Sequence, residues 1–430
     1  MLVKTKYGEL DGIDTQDAYV YLGVPYAAPP VGELRWKAPE SVDFWEGVKK
    51  ADHFSPRCPQ LSMPEGTFYH KEFYSDPRFM PDASEDCLYL NIWVPRHVDG
   101  KAPVAVWFHG GAFSIGFNSE MEFDGNAYAR RGIILVTVNY RLGLLGFFAH
   151  PALTERDGHS GNYGLLDQIA AIDWVRGNIE AFGGDPGNIT IFGQSAGGMS
   201  VRCLLASPLA AGKVQRAIIQ SGGGYQSVFP AGRSGKKLEK AGEEFLESLH
   251  LSLDGFYEKT ADELAFLTAV FNKNCAATAD SILPLAPVAD GYVLEGNFEE
   301  AVDADKIPPV SLMVGCNTND LGNQVDFLEH PEKNDLYASN LRLGDIFTAR
   351  GRDIFEYYFT RKMPGDEAGA FHSAELWYMF GTLDRCWRPL TESDHALSGR
   401  MLDAWAGFMR SGDPGWKRYA DGGYVQRLTV

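Results

Sequence analysis

The stretch NITIFGQSAGGMSVRCLLA, residues 188–206, contains the strongest structural signal in this sequence. It begins with a short apolar run that favours a strand, and from Ser195 onward it has a pattern typical of a helix. Between the two, the segment GQSAG places glycines two residues away from Ser195 on either side. A serine at a sharp turn from strand to helix is held in a strained backbone conformation, and its neighbours must be small. The stretch therefore predicts a turn that exposes a nucleophilic serine, with an ordinary glycine-rich loop as the alternative.

Outside this stretch, apolar runs of strand length alternate with helical patterns. Strands are expected at residues 103–108, 133–140, 216–220, 310–315 and 354–361, and helices at 167–182 and 395–409. Strands that alternate with helices indicate a mostly parallel sheet covered on both faces. No internal repeat and no linker rich in Pro, Gly or Ser divides the chain. The sequence therefore predicts a single α/β domain over residues 1–430.

The composition argues against several classes of partner. The 430 residues include 57 acidic and 39 basic ones, and the net charge of −18 disfavours nucleic acid or an anionic membrane. Six scattered cysteines and ten histidines have no metal-binding spacing, so we expect no metal and no cofactor. The N-terminal segment lacks the apolar region of a secretory signal, which predicts a cytoplasmic protein unless a signal was removed. The sequence does not indicate an oligomeric state.

A second polar segment, HGGAF at residues 109–113, directly follows the apolar run at 103–108. Adjacent glycines let backbone amides approach a ligand closely. Amides directed at a developing oxyanion stabilise the transition state by roughly 3 kcal/mol each. A plain glycine turn is the alternative for HGGAF taken alone. However, it lies upstream of GQSAG, where a hydrolase with a nucleophilic serine has its oxyanion-binding loop.

A nucleophilic serine of this type is followed along the chain by an acid and then by a histidine. Four histidines follow Ser195, at positions 250, 330, 372 and 395. His372 is the best placed of them, because it follows the run at 354–361 on a loop flanked by small and apolar residues. Asp320 lies just beyond the run at 310–315, among turn-forming residues, and is the predicted acid. Taken alone, either residue is better explained as a surface or capping group, and the other two polar segments shift the interpretation to a catalytic role.

With these residues in place, the chain resembles the type-B carboxylesterase/lipase family, which includes cholinesterases and bacterial p-nitrobenzyl-type esterases. Besides HGGAF and GQSAG, the similarity rests on YLGVPYAAPPVGELRWKAPE (21–40), EDCLYLNIWVP (85–95), AFHSAEL (370–376) and FMRSGDPGW (408–416). These motifs follow the family's order along nearly the whole chain. The resemblance implies an α/β-hydrolase fold and a serine carboxylic-ester hydrolase that works through an acyl-enzyme intermediate.

The resemblance also implies roles for individual residues. It assigns Ser195 as nucleophile, His372 as general base and then acid, and Asp320 as the residue that orients the imidazole. It implies an oxyanion hole made of the backbone amides of Gly110, Gly111 and Ala196. The substrate would be a short-chain or aryl ester, with water as the second reactant.

The sequence departs from the family in three places. Asp320 stands where relatives usually have Glu, so Asp326 and Glu329 remain alternative acids. Gln194 stands where many relatives have Glu, which removes a negative charge beside the nucleophile. The segment between Asp320 and His372 is short, which predicts a more open entrance to the active site.

Cys58 and Cys87 match a pair that closes a small disulfide loop in secreted relatives, and free thiols are the alternative in a reducing cytoplasm. Phe113, Gln194 and Phe371 are candidates for lining the substrate pocket. Trp377 is a further candidate, for which packing in the core is the favoured alternative.

Other functions use the same machinery. Hydroxycinnamoyl (feruloyl-type) esters and acylated sugars are alternative substrates, and a peptidase or amidase would use the same groups. A non-catalytic binding protein on the same scaffold is a further alternative. It is disfavoured because the sequence retains every expected catalytic residue.

Overall fold

The computed structural model describes residues 1–229, 232–320, 328 and 330–430. Fourteen strands occur in these ranges: β1 (Leu2–Lys4), β2 (Glu9–Asp14), β3 (Ala18–Pro25), β4 (Val48–Ala51), β5 (Tyr89–Pro95), β6 (Ala102–Phe108), β7 (Ile134–Val138), β8 (Gly184–Gln194), β9 (Arg216–Gln220), β10 (Arg233–Ser234), β11 (Val288–Ala289), β12 (Ser311–Asn317), β13 (Ile354–Phe359) and β14 (Gln426–Leu428).

The helices of the described residues surround these strands. They are α1 (Phe68–Phe73), α2 (Asn126–Ala129), α3 (Gly143–Phe147), α4 (Pro151–Asp157), α5 (Tyr163–Asn178), α6 (Ala196–Ala206), α7 (Gly235–Ser248), α8 (Leu253–Tyr257), α9 (Ala261–Asn274), α10 (Ala276–Ala279), α11 (Phe298–Asp303), α12 (Asp335–Ala349), α13 (Glu375–Phe380) and α14 (Glu392–Ser411). None of the helices in this part of the chain is both long and apolar enough to cross a bilayer.

The main sheet has the strand order β1-β2-β3-β5-β7-β6-β8-β9-β12-β13-β14, with β4 paired to β2. Pairing is antiparallel from β1 to β7, and it is parallel from β7 through β6 to β14. The predicted mostly parallel sheet is confirmed, with an antiparallel edge built from the N-terminal strands.

Strand β6 explains why the central strands are continuous apolar runs. Val104, Val106 and Phe108 belong to the hydrophobic core on one face of the sheet. Ala105 and Trp107 belong to the core on the other face. All five side chains are fully buried, as expected for a strand covered by helices on both faces.

The helix predicted at residues 167–182 differs at both ends. Helix α5 begins four residues earlier, at Tyr163, and residues Ile179–Phe182 tighten into a 3-10 turn. Gly183 then ends the turn with a φ of 79°, a left-handed conformation in which glycine has no steric penalty. The glycine stop is therefore where the sequence indicates it.

The parallel register brings distant polar residues to one edge of the sheet. Gln194 at the end of β8 pairs with Gln220 at the end of β9, and Gln220 pairs with Gly315 near the end of β12. The residues that follow these strands therefore emerge side by side, at the carboxyl edge where sheets of this kind bind their ligands.

Candidate active site

Ser195 lies on a strained turn between β8 and α6. Its φ of 56° and ψ of −125° fall outside the regions that most residues adopt. A Cβ atom added to Gly197 would lie 1.9 Å from the carbonyl oxygen of Phe108, and one added to Gly193 would lie 2.5 Å from the backbone of Gly197. Both glycines are therefore required by close backbone packing around the serine.

The imidazole of His372 is held by Asp320. The Nδ1 atom of His372 lies 2.6 Å from Oδ1 of Asp320. The other carboxylate oxygen, Oδ2, accepts hydrogen bonds from the Ser221 hydroxyl at 2.9 Å and from the Asn317 backbone amide at 2.7 Å. Asp320 is only 2% exposed. Its carboxylate is therefore fixed by three donors from three different segments.

The carboxylate of Asp320 defines the tautomer of His372. Because an ionised carboxylate can only accept, the ring proton lies on Nδ1, which donates to Asp320. The imidazole Nε2 is then an acceptor, with Nε2 of Gln194 at 3.3 Å. This tautomer leaves a lone pair on Nε2, as a general base facing the substrate requires.

The surroundings of His372 raise its pKa. Burial by itself disfavours the imidazolium, but the hydrogen bond to Asp320 and the negative charges of Asp320 and Glu375 outweigh that effect. Glu375 is fully buried and accepts a hydrogen bond from the Asn317 side chain at 2.6 Å. Burial and the charge of Asp320 raise the pKa of Glu375 to about 7.

The residues predicted for the oxyanion hole border the serine. Gly110 and Gly111 follow β6, and Ala196 is the first residue of α6. None of their three amides donates a hydrogen bond to another described residue. Gly111 has a φ of 103°, and a Cβ atom there would lie 2.1 Å from the carbonyl oxygen of Ile115. The loop thus needs glycine at this position and leaves the amides free for a ligand.

A cavity of about 220 Å³ contains these groups. Its walls combine the serine, the histidine and the glycine loop with aromatic and acidic side chains. The lining residues are Met63, Tyr69, Phe73, Tyr74, Gly110, Gly111, Ala112, Ile115, Glu120, Glu122, Phe123, Gln194, Ser195, His372, Ser373 and Leu376. Gln194 therefore lies where the sequence placed it, in the wall of the pocket.

Two of the predicted lining residues lie elsewhere, which corrects the prediction. Phe113 has a φ of 58° and is fully buried in the core, where its ring packs on Phe147 with centroids 5.0 Å apart. Phe371 packs on Phe68 and beneath the guanidinium of Arg388, with the ring centroids 4.9 Å apart and the guanidinium 5.0 Å from the Phe371 ring. Phe113 belongs to HGGAF and Phe371 directly precedes His372, but neither side chain lines the cavity.

The predicted disulfide partners are buried free thiols in this structure. The Sγ atom of Cys58 accepts a hydrogen bond from the Leu142 amide at 3.2 Å. A hydrogen bond with Cys58 and burial raise the pKa of the Cys87 thiol well above its usual range. The two thiols are thus neighbours without a disulfide bond between them, and oxidation of the pair to a disulfide stays a prediction.

The alternative acids Asp326 and Glu329 lie outside the described residues.

Among the described residues between positions 321 and 371, none lines the cavity. Other lining residues come from α1, with Met63 before that helix and Tyr74 directly after it in sequence. The described part of the chain contains no group of three His, Cys, Asp or Glu residues arranged to hold a metal ion.

Sequence reasoning missed the residues that support Asp320. Ser221 directly follows β9, and Asn317 is the last residue of β12. Both residues stand at the carboxyl ends of parallel strands, and this position in the sequence could have identified them as residues of the active site. Glu375 carried no such signal, because it lies within α13 and only its fully buried position marks it.

Comparisons with known proteins agree with this arrangement. The model of the carboxylesterase family matches residues 1–343. A para-nitrobenzyl esterase of Bacillus subtilis is 34% identical over an alignment of 463 positions, which covers 96% of this chain and 90% of that protein. Carboxylesterase 4A of Bos taurus is 30% identical, covering 99% of this chain and 90% of that protein.

The solved structure of a thermophilic para-nitrobenzyl esterase superposes with a TM-score of 0.86 at 30% identity, covering 100% of this chain and 96% of the other. The α/β-hydrolase fold implied by the sequence motifs is therefore confirmed. The chain belongs to the carboxylesterase family, whose members are serine hydrolases that cleave carboxylic esters.

Proposed function

We propose that ester hydrolysis by this chain uses Ser195 as nucleophile, His372 as acid–base catalyst and Asp320 as the residue that positions the imidazole. The Ser195 hydroxyl attacks the ester carbonyl carbon, and its proton passes to Nε2 of His372. For this transfer the hydroxyl replaces the Gln194 side-chain amide as the hydrogen-bond donor to Nε2 of His372, from which the amide nitrogen lies 3.3 Å away. The amides of Gly110, Gly111 and Ala196 stabilise the negative charge that forms on the carbonyl oxygen.

Breakdown of the tetrahedral intermediate releases the alcohol. The C–O bond to the alcohol breaks as His372 returns its proton to the leaving oxygen, and the acyl group remains on Ser195. Water then attacks the acyl carbon while His372 accepts a water proton. The proton is passed back to the Ser195 oxygen as the acid departs, so no external oxidant, reductant or metal takes part.

One observation carries this proposal: the His372–Asp320 hydrogen bond of 2.6 Å beside the strained backbone of Ser195 in a shared cavity. A short, buried bond between imidazole and carboxylate stabilises the imidazolium that forms when the serine loses its proton. The cavity of about 220 Å³ suits short-chain or aryl esters. A non-catalytic binding protein would have no need for the strained serine.

The test combines kinetics with covalent labelling. Wild-type protein is expected to hydrolyse p-nitrophenyl acetate and butyrate. After treatment with an aryl phosphonate inhibitor, mass spectrometry is expected to show the phosphonate adduct on Ser195. Ser195→Ala is expected to lose about 10⁴-fold or more in kcat and all labelling. A Ser195→Ala activity within tenfold of wild type, or an adduct on another serine, would refute the assignment.

We also propose a cytoplasmic location, with no nucleic acid and no membrane as a partner. The six scattered cysteines support the location, because their spacing lacks the dense disulfide pattern of small secreted proteins. The net charge of −18 disfavours nucleic acid and anionic membranes as partners. Cell fractionation with thiol titration of the purified, denatured protein tests it. Six titratable thiols in a cytosolic fraction are expected. Recovery in an extracellular fraction, or four thiols without reductant, would contradict the proposal.

A further inference from the structure

Two carboxyl groups in the active-site cavity have no role in the reaction described above. Glu120 and Glu122 both line the cavity that contains Ser195, and they are only 6% and 1% exposed. Glu120 accepts hydrogen bonds on Oε1 from the Phe117 amide at 3.0 Å and from the Tyr74 hydroxyl at 3.1 Å. By contrast, Oε2 of Glu122 is buried and has no hydrogen-bond partner among the described residues.

Two nearby arginines act on this pair only at a distance. Within the described ranges, neither carboxylate forms an ion pair, although Arg57 and Arg385 lie near enough to influence them. Arg57 donates to the carbonyl oxygen of Pro81, and Arg385 donates to the carbonyl oxygen of Met121 and pairs with Asp124. The two carboxyl groups also share a hydrogen bond, but Oε2 of Glu122 has no donor among the described residues. A buried acceptor of this kind is costly, and a ligand that supplies a donor removes that cost.

The raised pKa values of the two carboxyl groups agree with a missing hydrogen-bond donor. Burial raises the pKa of Glu120 to about 7. Burial and the neighbouring charge of Glu120 raise the pKa of Glu122 well above its usual range. Both groups therefore bind protons more readily than ordinary glutamates, and a donor from a ligand would favour their ionised forms.

Glu120 and Glu122 line the same cavity as the imidazole that would protonate the leaving alcohol. Because Nε2 of His372 would deliver the proton to the leaving oxygen, the alcohol portion of a bound ester lies at this cavity, which has a volume of only about 220 Å³. The aromatic side chains of Tyr69, Phe73 and Phe123 line it as well, and the faces of such rings attract cations.

We propose that Glu120 and Glu122 form a specificity site for esters whose alcohol portion carries a hydrogen-bond donor, a protonated amine above all and a hydroxyl next. Glu122 supplies the unpartnered acceptor, and the aromatic walls enclose the rest of the alcohol. This inference rests on the proposed esterase function and adds the chemical class of its substrate.

The test uses three acetate esters of equal size: 4-(aminomethyl)phenyl, 4-(hydroxymethyl)phenyl and 4-ethylphenyl acetate. Wild-type kcat/KM is expected to favour the ammonium ester over the ethyl ester by about tenfold or more, with the hydroxyl ester between them. Glu122→Leu is expected to reduce that ratio to about one. Glu122→Gln, which keeps an acceptor without charge, is expected to lose most of the ammonium preference and to retain part of the hydroxyl preference.

Glu65→Gln is the matched control. Glu65 is exposed and stands two residues after the cavity residue Met63 in sequence, so its substitution removes the same charge outside the cavity. It is expected to keep the wild-type ratios. Equal kcat/KM for the three esters in the wild type, or a preference that survives in Glu122→Leu, overturns the inference. Hydrolysis of the ethyl ester that depends on Ser195 keeps this outcome distinct from a failure of the proposed function.

Discussion

The active site has two buried acidic sites, Asp320 behind His372 and the Glu120–Glu122 pair in the cavity wall, which differ in how completely the protein satisfies their hydrogen bonds. Asp320 receives hydrogen bonds from His372, Ser221 and the Asn317 amide. The Glu120–Glu122 pair receives two protein donors on one oxygen and leaves Oε2 of Glu122 without any. A fully bonded carboxylate is suited to holding another side chain in place, whereas an unpartnered one is suited to binding a ligand. The following predictions separate these two roles.

The largest effect is expected at Asp320. Asp320→Asn replaces the acceptor of the Nδ1 proton with an amide and permits the wrong imidazole tautomer, so we expect kcat to fall by about 10⁴-fold. Hydrolysis of p-nitrophenyl acetate measures this. Asp326→Asn is the matched change at the alternative acid and is expected to stay within twofold of wild type. A large loss at Asp326 together with a small one at Asp320 would assign the acid to Asp326.

Removing the satisfied carboxylate should also destabilise the fold. Asp320→Leu leaves the Ser221 hydroxyl and the Asn317 amide without their acceptor. We expect the free energy of unfolding to fall by about 3 kcal/mol. Urea denaturation followed by fluorescence measures the change. An unchanged midpoint would mean that water satisfies these donors equally well.

The same kind of change at Glu122 should act in the opposite direction. Glu122→Leu replaces a buried carboxyl that has an unpartnered oxygen by an apolar group of similar size. We expect the free energy of unfolding to rise by about 1 kcal/mol, measured by the same denaturation. Destabilisation of the size seen at Asp320 would show that Glu122 has a structural role and would weaken the contrast.

The smallest effect concerns pH. The pKa of His372 is raised, in part by the charge of Glu375. Since the imidazole must be neutral to act as base, activity should fall as pH drops through a value above the ordinary 6.5 of histidine. Glu375→Gln removes the charge and should move this acid limb of kcat/KM by a few tenths of a pH unit to lower pH. A limb that moves to higher pH would contradict the electrostatic explanation.

Local patterns were enough to locate several parts of the site. A Cβ atom at Gly193 would meet the backbone of Gly197, and one at Gly197 would meet the carbonyl oxygen of Phe108. The GQSAG spacing therefore predicts a crowded turn, and the flanking strand and helix together with HGGAF single out Ser195. The order of polar residues at strand ends led to Asp320 and His372, because parallel strands bring their carboxyl ends to one edge. Phe113 was wrongly predicted to line the pocket, since its place within HGGAF does not determine the direction of a side chain at a φ of 58°.

The sequence by itself determined the fold class and the identity of the candidate catalytic residues, because apolar runs and glycine spacing are properties of short segments. Only the tertiary structure decided which carboxylates have partners. Ser221 and Asp320 are 99 residues apart in the chain, and Asp320 and His372 are 52 apart. Hydrogen bonds over such separations depend on strand order and register. In the sequence, nothing distinguishes Glu122 from an exposed charged residue. The tertiary structure buries it beside Glu120, in the cavity that contains Ser195.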